Sequence, residues 1–176
     1  MEEIRQYLTF RIAGEEYALC VSNVREILEV PRVTRIPRMP DFMAGVINLR
    51  GSVVPLVDLK LKLGLGATDV STETAIVVVE VPHDGDNGQK TRTIGIYADA
   101  VHKVITIDRE SVEPTPTIGL SIDSSFIEGM AKQDDGFITL LAVNGIITAK
   151  EIESAQAEAD KPADVSQPAV SMSAES

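Results

Sequence analysis

The residues equipped for chemistry are few, and their spacing decides what they can do. The chain holds two histidines, His83 and His102, and one cysteine, Cys20. A metal site needs three or four clustered ligands, and neither histidine has a cysteine or a second histidine at such spacing. Cys20 stands between Leu19 and Val21 and reads as a small buried hydrophobe rather than a nucleophile. The run DGDNG (Asp84–Gly88) has the acidic start of a calcium loop. The twelfth position, which would supply the bidentate glutamate, is Gly95. Phosphate loops, G-x-S-x-G and H-E-x-x-H are absent from the sequence. Asp58 and Asp99 close strand-like runs, where catalytic acids often stand, but each also suits a cap or turn. The expectation is a protein with no catalytic residues, no metal and no cofactor.

What remains is a cation placed where a core should be. NLRGSVVPLVDL (Asn48–Leu59) sets Arg50-Gly51 between two apolar runs. Gly51 can supply positive φ, so the pair reads as a hairpin turn holding Arg50 out for a partner. Residues 25–62 carry seven Lys and Arg against four acids, in a chain of net charge −11. Within this basic island the apolar-and-basic region from Val24 to Arg50 reads equally as a docking face or as a solvated charged edge over ordinary core. Phe42 is the one aromatic near its arginines, so the interleaving of aromatics and cations that nucleic-acid binding uses is missing. The overall negative field also repels nucleic acid and anionic lipid.

The elements that position these residues are mostly strands. Gln6–Ile12 alternates, with Leu8, Phe10 and Ile12 on one face, and Tyr17–Val21 returns after the turn at Gly14–Glu16. Ser22 or Asn23 can cap a short helix with Val24, Ile27 and Leu28 on one side. Three prolines, Pro31, Pro37 and Pro40, then enforce an extended edge segment and a loop. Pro55 demotes the second strand of the Arg50 hairpin to an edge or a bulge. Asp58 caps a short LKLKL helix that ends at Gly64. Gly64–Glu73 is a polar connector and a candidate boundary between two lobes. Thr74–Val81 is nearly all apolar, hence a strand buried on both faces, and it runs into a wet hairpin loop from Pro82 to Thr91. Further strands follow, with a hairpin across Asp134-Asp135-Gly136 and a last helix from Asn144 to Ala159.

Composition agrees. Of 176 residues, 44% are hydrophobic, 4% aromatic and none is tryptophan, so Val, Ile and Leu must build the core. One cysteine forbids an internal disulfide and fits a reducing compartment. The N-terminus lacks a signal-peptide pattern and no window is apolar enough to span a membrane, so a cytoplasmic protein without membrane insertion is expected. The domain is expected over residues 1–159, with 160–176 a disordered acidic tail.

The longer stretch IPRMPDFMAGVINLRGSVVPLVDLKLKLG resembles the signature of the CheW-like coupling proteins of bacterial chemotaxis. The matching positions are Gly45, Asn48, Leu49, Arg50, Gly51, Pro55, Asp58 and Leu59. YLTFRIAGEEYALCVSNVREILEV is similar to that family's opening elements, and TIGIYADAVHKVITI to a later stretch through Gly95, Asp99, Val101 and Val104. The resemblance covers roughly residues 6–156. It implies two packed five-stranded SH3-like β-barrels with short helices and a C-terminal helix. It implies a non-enzymatic adaptor that links methyl-accepting chemoreceptors to the histidine kinase CheA in arrays at the inner membrane. A related CheA-like pathway, such as twitching motility, uses the same fold and motif. The implied partners are the receptor's cytoplasmic tip, in a groove between the barrels, and the kinase's CheW-like regulatory domain, at the barrel ends. Val24, Glu26 and Ile27 fall on the groove side. Gly45 and Arg50 belong to the hairpin motif, and the resemblance puts Gly95, Val101 and Val104 at positions on the second barrel that affect coupling. The Pro82–Thr91 loop looks long for the family, and residues 160–176 extend past its usual end.

Overall fold

The computed structural model of the chain describes residues 4–85, 88–114, 127–133 and 136–146. Its strands are β1 (Ile4–Ile12), β2 (Glu15–Cys20), β3 (Val24–Glu29), β4 (Met43–Leu49), β5 (Ser52–Val57), β6 (Ala75–Gly85), β7 (Gly88–Ala98), β8 (Ala100–Asp108), β9 (Ile127–Gln133) and β10 (Gly136–Leu141). Short helices α1 (Leu59–Lys62) and α2 (Val143–Ile146) follow β5 and β10.

The strands form two five-stranded sheets, ordered β8-β1-β2-β10-β9 and β3-β6-β7-β5-β4. Both repeat one plan. In each, a single parallel contact (β2 with β10, β7 with β5) joins antiparallel neighbours. The chain crosses between sheets at a 3-10 turn, Val21–Asn23, and again between β7 and β8.

Each sheet curls until its edges meet. In the second sheet the segment after β3 reaches the far edge strand β4, where Thr34 and Val46 exchange backbone hydrogen bonds of 2.9 and 2.8 Å. In the first, the segment after β8 reaches β9, where Glu113 and Met130 exchange bonds of 2.9 and 2.8 Å. A glycine precedes the bridged residue both times. A Cβ on Gly45 would collide with the Thr34 carbonyl oxygen, and one on Gly129 with the Val112 side chain. An arginine–glutamate pair spans each closure as well, Arg50–Glu26 in one barrel and Arg109–Glu128 in the other.

Period-two alternation divides the apolar residues among three cores. Tyr7, Ala18, Ile107, Ala131, Ile138 and Leu140 fill the first barrel, and Ile47, Val54, Leu56, Ile76, Val78 and Tyr97 fill the second. The opposite faces of the same strands, including Leu8, Phe10 and Leu19 with Val77, Val79 and Ile96, meet in a larger core between the barrels. β6 therefore buries both faces, as its unbroken apolar run predicts.

Several expectations change. The segment from Val24 is a strand, not a capped helix. Val24, Glu26 and Leu28 are partly buried while Arg25, Ile27 and Glu29 are exposed, a period of two. Pairing with the buried β6 overrides the weak helical pattern, and Ser22 and Asn23 sit in a single 3-10 turn. Pro55 lies inside the sheet, between β4 and β7, not at an edge. Its partner Val46 turns both backbone groups towards Thr34, so no hydrogen bond from position 55 is needed on that side. The 64–73 connector does not divide the barrels, since β3 to β7, on both sides of it, share one sheet. The stretch after Val81 is the expected hairpin, with its strands paired further than a loop, in register to Gly85↔Gly88. Asp58 does cap α1. The expected helix beyond Ile146 and the 160–176 tail lie outside the described residues.

Candidate functional site

Two residues make the turn between β4 and β5. Leu49 pairs with Ser52, and Arg50 and Gly51 between them both take positive φ, 52° and 90°. That is the backbone of a type I′ hairpin turn, whose twist suits paired strands. The Asn48 side chain accepts a 2.8 Å hydrogen bond from the Gly51 amide and locks the loop. Arg50 is thereby fixed at the backbone while its side chain stays 68% exposed.

Glu26 on β3 meets it. Arg50 Nη1 and Nη2 donate to the two Glu26 carboxylate oxygens, both at 2.8 Å. This forked geometry is the strongest form of a surface ion pair. The hydrogen bonds from Arg50 hold the Glu26 carboxyl below its ordinary range, and Glu26 in turn raises the guanidinium. Arg50 is thus already engaged within the chain, a partner that sequence reading left out because the two residues lie on opposite edges of the open sheet.

The other expected positions divide. Gly45 marks the barrel closure and Gly95 the interior, where a Cβ would press on Ile76. Both are explained by close packing. Val24 and Val101 are partly buried against the core between the barrels, and Ile27 (45%) and Val104 (50%) are exposed three residues beyond them. The two pairs occupy matching places on the edge strands β3 and β8, so Gly95 on β7 does not share a barrel with Val101 and Val104 as expected, because the chain changes sheets between β7 and β8.

Beside the Arg50 turn lies an open depression of about 430 Å³, lined by Arg25, Arg50, Val53, Arg92 and Thr93 among others. Sequence reasoning missed Arg25 and Arg92 as members of this set. The first barrel has a depression at the corresponding end, lined by Glu16, His102 and Phe137 among others, with His102 Nδ1 2.7 Å from Glu16 Oε1. Among the described residues no group of three or more His, Cys, Asp or Glu is gathered as a metal site.

The arrangement offers charged and apolar surface rather than reacting groups, and comparison with known proteins gives it a family. Residues 6–151 match the model of the CheW-like domain. The chain belongs to the CheW-like family. It is 32% identical over 151 residues to the probable chemotaxis protein CheW of Rhizobium etli, covering 86% of this chain and 92% of that one. It is 34% identical to the chemotaxis protein CheW of Helicobacter pylori, covering 83% of each. The crystal structure of the scaffolding protein TtCheW from Thermoanaerobacter tengcongensis superposes with a TM-score of 0.73 at 34% identity, over 85% of this chain and 91% of that one. The CheW-like motif centred on Asn48–Gly51 is therefore, in physical terms, a type I′ turn, its side-chain lock and an arginine clamped across the barrel seam.

Proposed function

We propose that this CheW-like protein is a non-enzymatic adaptor of bacterial chemotaxis, binding the cytoplasmic tip of methyl-accepting receptors and the CheW-like regulatory domain of the kinase CheA. It works in the cytoplasm, at receptor arrays. The observation that carries the reading is the rigid Arg50 turn. The fold fixes the backbone, pairs the guanidinium with Glu26, and leaves it at the rim beside the exposed Val53. A preorganised charged group next to apolar surface favours protein association and needs no chemistry. Val24 and Val101, on the seam between the barrels, form the apolar counterpart.

Reconstitution tests it. Receptor fragment, cognate CheA and ATP are combined with and without the protein, and kinase autophosphorylation is followed. Receptor control of the kinase is expected only with the protein present. Arg50→Glu should weaken binding in a salt-sensitive way, because reversal replaces attraction by repulsion. Val24→Asp should break coupling with little salt dependence, because it puts a charge where apolar burial is needed. Unchanged kinase control in the absence of the protein would refute the reading.

A further inference from the structure

The depression beside the Arg50 turn holds one cation that its own acids do not neutralise. Arg50 is clamped by Glu26. Arg25 is held loosely, 3.6 Å from Glu80 and 3.4 Å from the Thr93 hydroxyl. Arg92 has neither: among the described residues it makes no hydrogen bond or ion pair, and its Nε is buried without an acceptor. Nε is out of a partner's reach, but the terminal nitrogens of a guanidinium that lines the depression with no counter-charge match the two oxygens of a carboxylate. The neighbouring Leu49, Val53 and Val54 add apolar lining. A free small anion would approach against a net charge of −11 and gain nothing from that apolar lining. A carboxylate brought in on a protein surface would use both.

We propose that this depression receives an acidic side chain of the protein partner that docks at the Arg50 turn, and that Arg92 is the residue that holds it. The inference rests on the adaptor reading and adds to it the chemistry of the contact and a second arginine.

The test uses the full chain as wild type, Arg92→Gln, Arg92→Lys and Lys132→Gln. Lys132 is exposed, on β9 of the other barrel and outside the depression, so its loss changes net charge equally without touching the contact. Each is titrated by calorimetry with the CheA regulatory domain and, separately, with a receptor-tip fragment, at low and high salt. Arg92→Gln is expected to weaken one of the two complexes about tenfold and to flatten its salt dependence, Arg92→Lys to recover only part, and Lys132→Gln to stay within about twofold. Equal behaviour of Arg92→Gln and Lys132→Gln towards both partners would overturn the proposal. If Arg92→Gln does not fold, Arg92→Lys decides: weakened binding supports the forked contact, and wild-type affinity overturns it. If wild type binds neither partner, the adaptor reading fails first and takes this one with it.

Discussion

Arg50 owes its position to two residues without charge. Gly51 supplies the second positive φ and Asn48 the side-chain lock, so the cation sits on a stiff turn. Its clamp on Glu26 has a defined pH response. Glu26 titrates below its ordinary 4.5 in the folded chain because Arg50 bonds the ionised form. The stabilisation is therefore full above the ordinary value and disappears as pH falls through the lowered one. Melting curves of wild type and Glu26→Gln should differ by a small constant amount near neutrality and converge in strong acid. A gap that widens on acidification would contradict the assignment. The two nearby glycines should separate cleanly. Gly45→Ala drives a Cβ into the Thr34 carbonyl at positive φ, and should cost about 2–4 kcal/mol. Gly51→Ala meets open space and should cost only about 1 kcal/mol for its φ. Denaturant midpoints of the two variants measure the difference.

The strands and helices are held in place by a few polar ties at their ends. Asp58 is almost wholly buried, and its carboxylate accepts from the Leu61 amide, the Thr68 amide at 2.9 Å and the Thr68 hydroxyl at 2.7 Å. It caps α1 and at the same time ties down the connector that leads to β6. Asp58→Ala would strand the Thr68 donors beside a small void, and should cost about 2–3 kcal/mol. Asp58→Asn, which keeps the cap acceptor, should cost less. Thermal melts of both check this, with about 2–4 °C expected per kcal/mol in a chain of this size. A comparable tie in the first barrel joins Tyr7, Arg109 and Glu128, with the Tyr7 hydroxyl donating to Glu128 at 2.8 Å and Arg109 donating to both.

At the scale of the molecule the core between the barrels decides cooperativity. Leu8, Phe10 and Leu19 of one sheet and Val77, Val79 and Ile96 of the other have no other place to bury those faces. Neither barrel should therefore unfold alone. Tyr7 reports on the interior of the first barrel and Tyr97 on that of the second. Their ring signals in NMR should be lost at one temperature. Leu19→Ala should lower that temperature for both together, at a cost of about 2–5 kcal/mol. Separate transitions would show the barrels to be independent.

Local pattern determined much of this protein. The alternation around Phe10, the apolar run of β6, the Asp58 cap and the Arg50-Gly51 turn depend on neighbours in sequence, and each was legible there. The family motif was legible too, because it encodes one turn and its flanking strands. What the sequence left undecided depends on partners far along the chain. Val24–Glu29 is a strand because β6, about fifty residues later, offers a buried edge to pair with. Gly45 and Gly95, singled out by the family motif, also leave space for backbone and side chains of remote segments, a packing reason that no local pattern carries. Glu26 meets Arg50 only because the sheet curls and brings its edges together, and Arg92 stands beside the Arg50 hairpin because β7 pairs with β5, about forty residues earlier. Closure of each barrel is a property of five strands at once, so no window of sequence contains it.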